Sequence, residues 1–112
     1  LSEDYNGIGQ LVPAALSKVV AKVSCRPAGA SSETLTVTIC SADRDAGGTN
    51  TTWTALANAT DETAIGVWAS CDATYTGSIA TSKILSIGIG IAESSPSTSN
   101  IRFNWQLIGY LA

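Results

Sequence analysis

The chain contains no histidine, and charged residues make up only 13% of its 112 residues. Without an imidazole base, Ser–His–Asp and Cys–His nucleophilic arrangements are excluded, although Lys and carboxylate bases remain formally possible. Acidic residues that could form a catalytic pair lie in predicted turns or at strand ends, and no spacing brings two of them to one cleft; they are Asp61, Glu62, Asp72 and Glu93. We therefore expect no enzyme activity, no catalytic residue and no cofactor.

Basic residues are also few. The six Lys and Arg are scattered along the chain, against nine Asp and Glu, and the net charge is −3. Nucleic-acid-binding domains concentrate Lys and Arg on one face, and no such patch can be identified here. The composition therefore argues against a nucleic-acid partner.

Long apolar segments are missing as well. A membrane helix needs about 20 apolar residues in a row, and the longest such stretch, Ile84 to Ala92, is interrupted by Ser86, Gly88 and Gly90. We expect no membrane partner. Mean hydropathy is nevertheless positive at +0.20, so we expect part of the surface to be buried against other subunits. The chain starts at Leu1 without a charged and apolar leader, which predicts a processed product or a fragment.

Metal-ligand patterns are weak. The segment from Asp43 to Gly48 places oxygen-bearing residues two apart, as in a calcium loop. It departs from the EF-hand pattern, because Gly47 and Thr54 stand where ligands are needed. Three distant cysteines without histidine do not form a zinc site either. The sequence therefore predicts no metal site.

Cys25, Cys40 and Cys71 are odd in number, so at least one is unpaired. If the strands that carry Cys25 and Cys40 form a hairpin centred near Gly29, Cys40 lies opposite Lys18. Seven residues along a strand then separate the two thiols by roughly 23 Å, beyond disulfide reach. We predict three reduced, mostly buried thiols, with a Cys40–Cys71 bridge as the alternative.

Alternation with a period of two is the main structural signal. In the last strand, Ile101, Phe103, Trp105 and Leu107 share one parity, while polar residues occupy the other. The segment Thr54–Asp61 is the one helical candidate, but it lacks a sustained 3.6-residue period, so no helix is predicted there. Asn58–Glu62 is predicted as a turn. The pattern predicts an all-β, antiparallel β-sandwich, jelly-roll-like, with six to eight strands.

Residues 1–16 are predicted to form an N-terminal arm or edge strand, and residues 17–112 the sandwich. Strands are predicted over residues 18–26, 33–40, 51–56, 63–71, 72–79, 83–92 and 100–112.

Matched parity also predicts the core. Its members are expected to be Leu35, Val37, Ile39, Leu85, Ile87, Ile89, Phe103, Trp105 and Leu107. Gly88 and Gly90 would leave a trough beside Ser86, which we expect Trp68 or Trp105 to cover in preference to a ligand. One of the three tryptophans is expected at the surface. Trp53 and Tyr75, in or near loops, and Tyr5, on the arm, are the candidate surface-binding residues, and they would suit a glycan.

The succession of Lys18–Ser24, Thr34–Ile39, Ile84–Ile89 and Ile101–Leu107 resembles the small jelly-roll domains of bacteriophage virions. The resemblance implies a virion structural protein. A capsid decoration or cement subunit is favoured over a fibre or tail module. It further implies assembly as a homo-oligomer, commonly a trimer, on a major capsid or tail protein, at the virion surface or otherwise outside the cell. The alternatives are a carbohydrate-binding or adhesin module and a subunit of a non-viral extracellular filament.

Assembly is also expected from the residues themselves. The predicted strands carry few of the lysines that normally blunt sheet edges. Residues 1–16 contain Ile8, Leu11 and Val12 without a strand or helix pattern of their own, which predicts that they need a partner surface to become ordered. We expect more than about 1,000 Å² to be buried at a subunit contact, the lower bound for a specific interface.

Overall fold

The computed structural model describes residues 9–26, 33–44, 52–63, 68–93 and 102–112, and these residues form strands and connections with no helix. The strands are β1 (Gln10–Leu11), β2 (Leu16–Arg26), β3 (Glu33–Asp43), β4 (Thr54–Thr63), β5 (Ala69–Ile79), β6 (Lys83–Glu93) and β7 (Arg102–Leu111). The all-β prediction is confirmed, and the seven strands fall within the expected six to eight.

The strands form two antiparallel sheets. One has four strands in the order β1-β6-β3-β4, and the other has three in the order β5-β2-β7. Within a sheet, only β3 and β4 are consecutive in the chain, because every other connection passes from one sheet to the other. A jelly roll places two four-stranded sheets face to face. The two sheets here have four and three strands, in an order compatible with a jelly roll. The fourth position of the smaller sheet lies beside β7, and the described residues assign no strand to it.

The core lies between β2 and β3, the strands flanked on both sides by neighbours. Val19, Ala21 and Val23 of β2 lie on one face of the strand and have no solvent exposure. Leu35, Val37 and Ile39 of β3 face them from the other sheet and are equally buried. Burial of each such valine, leucine or isoleucine side chain stabilises the fold by about 1.5–3 kcal/mol. The burial of Leu35, Val37 and Ile39 confirms the predicted parity of β3.

The assumed hairpin of the Cys25 and Cys40 strands is wrong, because β2 and β3 belong to different sheets. Cys25 pairs with Ala69 and Phe103, whereas Cys40 pairs with Ala55 and Ser86. The conclusion drawn from the hairpin nevertheless stands, since all three cysteines are buried and none forms a disulfide.

One further prediction about the elements is wrong. Asn58–Glu62 was predicted as a turn and lies inside β4, whereas the extended conformation of Thr54–Asp61 agrees with the missing helical period. Pairing with β3 from Ser41↔Thr54 to Glu33↔Thr63 keeps these residues in a strand. Polar residues are tolerated there because β4 is the last strand of its sheet. Asp72–Ile79 belongs to one long β5 that begins at Ala69, and residues 64–67 of the predicted strand 63–71 lie outside the described residues.

Residues 9–16, the described part of the predicted arm, pack on the sandwich of their own chain. Gln10 and Leu11 pair with Leu85 and Ile84 at the start of β6. Val12 is only 2% exposed and belongs to the core. Within this part, the expectation that a partner surface is needed for order is therefore wrong, although Leu11 itself remains exposed.

Candidate functional site

Among the residues that the structure describes, the sandwich is open along its β6–β7 side. There Ile87 and Ile89 of β6 and Trp105 and Leu107 of β7 line an apolar cleft of about 190 Å³. The remaining lining residues are Gly9, Gln10, Leu85 and Ser86. The opening follows from strand length, because β1 pairs with only two residues at the start of β6. The rest of that β6 edge has no described neighbour.

Phe103 and Trp105 are the residues most affected by this opening. They pair with Cys25 and Val23, two inward-facing residues of β2, so they lie on the inner face of their sheet. Even so, Phe103 is 41% exposed and Trp105 is 56% exposed. The prediction that both are buried in the core is therefore wrong. Of the other predicted core residues, Leu35, Val37, Ile39 and Leu85 are buried, and Ile87, Ile89 and Leu107 are partly buried against them.

The strand that carries these aromatics has an unusual edge. Residues 103–111 contain neither a charged residue nor a proline, and β2 is the only described neighbour of β7. Tyr110 and Leu111 add to the exposed apolar surface. Monomeric β-proteins protect such edges with lysine, proline or bulges, because unpaired strands recruit other chains. Beyond Arg102, β7 carries no charge or proline of this kind.

On the outer face of the same sheet, polar side chains border β7. Lys22, Ser24, Asn104 and Gln106 line an open groove of about 550 Å³ together with Trp105. Lys22 Nζ donates to Asp72 Oδ2 at 2.9 Å, and this hydrogen bond raises the pKa of the Lys22 ammonium. Lys18 Nζ lies 4.1 Å from the ring centroid of Tyr110. Both lysines of β2 are thus engaged within the subunit.

The structure does not bring the three predicted surface-binding residues together. Trp53 is half-buried, close to Ile84 and Gly9, where a Cβ on Gly9 would come within 3.2 Å of its Cη2 atom. Tyr75 faces inward from β5 and packs against the core, and Tyr5 lies outside the described residues. The exposed tryptophans are Trp68 and Trp105 instead, two and not one. The uncharged run 103–111 was the sequence signal that could have pointed to this site.

Gly88 and Gly90 lie on the other face of β6, beside Thr36 and Thr38. A Cβ on Gly90 would contact only the Cβ of Thr36, at 3.9 Å, among the described residues. Trp105 lies across β6 from this trough, in the cleft with Ile87. Of the two tryptophans predicted to cover the glycines, Trp105 therefore does not do so, and no described aromatic atom lies within 4 Å of a Cβ built on Gly90.

The buried thiols and acidic residues suggest little chemistry. Burial raises the pKa of the Cys40 thiol. Burial also raises the pKa of Cys71, helped by the negative charges of Asp61 and Asp72. Both thiols stay protonated near neutral pH and are weak nucleophiles. The described part of the chain holds no group of three potential metal ligands. Most of the candidate calcium loop lies outside the described residues, while Asp43 pairs with Lys83.

Comparison of the chain with family models, curated proteins and solved structures finds no match. Within the described ranges, no helix is long and apolar enough to cross a membrane.

Proposed function

We propose that the protein is a structural subunit that acts by assembly at the virion surface. Capsid decoration is the role we favour, and a fibre or tail module is the second choice. The observation that carries this proposal is the open β6–β7 side, where an apolar cleft adjoins an uncharged edge strand. The strand order supports it, because it agrees with the jelly-roll fold of the phage domains that the sequence resembles.

The exposed apolar side chains argue for a partner. Phe103, Trp105, Tyr110 and Leu111 lie on one strand and are each more than two-fifths exposed. Phe103, Trp105 and Leu111 share the inner face of the sheet, and Tyr110 lies on the outer face. Exposed apolar patches on a small protein typically mark interaction sites. Aromatic residues are the side chains most enriched at the centres of protein interfaces. The partners we propose are further copies of this chain and a major capsid or tail protein.

The location of the native protein tests this function. Antibodies raised against the purified full chain would be used to probe density-gradient fractions of the source sample. We expect the protein in fractions that contain nuclease-resistant particles, and we expect mild chaotrope to strip it while the nucleic acid stays packaged. Recovery only in the fractions without particles would overturn the virion proposal.

A carbohydrate-binding module is the second candidate. It is favoured by the outer groove, which Lys22, Asn104 and Gln106 line together with the exposed Trp105. Aromatic rings beside amide and hydroxyl groups suit a ligand with one apolar and one polar side. A glycan array probed with the full chain tests it, with Trp105→Ala as the variant and Trp68→Ala as the matched control. Binding that only Trp105→Ala abolishes would favour this candidate.

A further inference from the structure

We propose that β7 pairs with β7 of a second copy of this chain, antiparallel and about a two-fold axis. The two three-stranded sheets would then join into one six-stranded sheet with the two β7 strands at its centre. This inference rests on the proposed assembly function and deepens it, because it identifies the partner of the open edge.

The backbone of β7 is available for such pairing. On one side, β7 is paired with β2 from Leu16↔Leu111 to Arg26↔Arg102. In antiparallel sheets, alternate residues direct their N–H and C=O groups to opposite edges of a strand. About half of the backbone polar groups of β7 therefore point to the edge without a described neighbour. A second β7 supplies matching donors and acceptors along the whole strand.

The charge distribution selects a second copy as the occupant. A two-fold axis sets the same surface against itself, so any charge near the axis would face its own kind. Residues 103–111 carry no charge, although the molecule has a net charge of −3. The other outer strands differ: β4 contains Asp61 and Glu62, and β5 contains Asp72. Among the outer strands, β7 thus offers the longest uncharged stretch for pairing with itself.

The side chains of β7 are also self-complementary. With the axis through the middle of the strand, Gln106 lies opposite Gln106 of the partner subunit on the outer face. On the inner face, Trp105 lies opposite Leu107 of the partner subunit. Such directly opposed residues have Cβ atoms about 4.5–5.5 Å apart. The pairing therefore covers the half-exposed Trp105 and narrows the mouth of the apolar cleft.

A charge exchange at Gln106 tests the proposal. Gln106 is exposed and faces outward, so Gln106→Lys and Gln106→Glu leave the core intact. We expect the full-length wild-type chain to sediment as a dimer or another even-numbered oligomer. Each variant alone should associate at least about tenfold more weakly, because like charges oppose each other across the axis. An equimolar mixture of the two variants should restore association.

Thr74 provides the matched control. Thr74 and Gln106 lie on the same face of the same sheet, since they pair with Val20 and Lys22 of β2, but Thr74 is on the opposite edge strand. Thr74→Lys and Thr74→Glu should associate like the wild type. Circular dichroism of every variant separates loss of pairing from loss of folding.

Several outcomes would overturn the pairing. A trimer would do so, because a three-fold axis cannot place β7 against itself. A monomeric wild-type chain would also overturn the pairing of β7 with itself. If that monomer is bound to particles in the gradient test, the assembly function stands and a shell protein supplies the strand that pairs with β7. Amide protection of residues 103–111 in a monomer would indicate that another part of the same chain covers the edge. Restored association in a protein absent from particles would instead support the pairing and overturn only the virion role.

Discussion

At the scale of single residues, inward parity and burial are separate properties. Ile39 and Trp105 both face the interior of the sandwich, yet Ile39 has no exposure and Trp105 is 56% exposed. The difference lies in their neighbours: β3 is flanked by β4 and β6, whereas β7 has β2 alone among the described strands. The contribution of a side chain to stability follows the area that its neighbours cover.

Truncation of these two residues should therefore have unequal effects on stability. Ile39→Ala removes fully buried atoms and should lower the free energy of unfolding by about 2–5 kcal/mol. Trp105→Ala loses only the covered part of its ring, about 1–2 kcal/mol at the usual coefficient for apolar area. Urea denaturation of both variants, at a concentration where the wild type is monomeric, measures the difference. A larger loss for Trp105→Ala would show that the cleft is closed within one subunit.

At the scale of elements, two glycines of similar appearance in the sequence have different surroundings. Gly109 of β7 faces inward beside Val19, and a Cβ there would lie 2.9 Å from Cδ1 of the buried Leu16. Gly90 of β6 faces outward, where a Cβ would make only an ordinary contact with Thr36. Gly109 thus leaves room for the Leu16 side chain, whereas Gly90 has no such close neighbour among the described residues.

The two alanine substitutions should differ in sign. Gly109→Ala forces Leu16 to shift and should destabilise the fold by about 1–3 kcal/mol, as overpacking does. Gly90→Ala should be neutral or stabilise by up to about 1 kcal/mol, because alanine restricts the unfolded chain more than glycine does. Thermal and urea unfolding of the pair provide the measurement. Equal effects of the two substitutions would contradict the close approach at Gly109.

At the scale of the whole molecule, the three described groups with shifted pKa values make the fold sensitive to alkali. The pKa values of Cys40 and Cys71 are raised by burial, and that of Lys22 is raised by Asp72. The folded state therefore retains protons that the unfolded state releases at lower pH. Below the ordinary thiol pKa of about 8.5, both states are protonated and these groups contribute no slope.

Stability should consequently fall as the pH rises above about 8.5, by at most about 1.4 kcal/mol per pH unit for each thiol. Lys22 adds a smaller loss at higher pH, since its ion pair is exposed to solvent. Urea denaturation at a series of pH values tests this. The double variant Cys40→Ala and Cys71→Ala is the control, and it should show a shallower decline. An unchanged slope in that variant would contradict the role of the thiols.

Much of the strand content could be predicted from the sequence alone. The inward parity of β3 and β6 was correct, because alternation of apolar and polar residues directly reflects which face of a strand is covered. The absence of disulfides was also predicted correctly, although from a hairpin that the fold does not contain. Asn58–Glu62 was wrong for a local reason: polar residues resemble a turn unless the pairing with β3 is known. Propensity at that segment was overridden by a long-range neighbour.

The sequence by itself determined the class of the fold, the faces of the long strands and the scarcity of catalytic groups. Only the tertiary structure decided which strand is outermost in its sheet, and with that which inward-facing residues stay exposed. Strand order depends on connections that pass between the two sheets, and no local pattern encodes them. For this reason Trp53 and Tyr75 were expected at the surface, whereas the candidate site formed around Trp105 on β7.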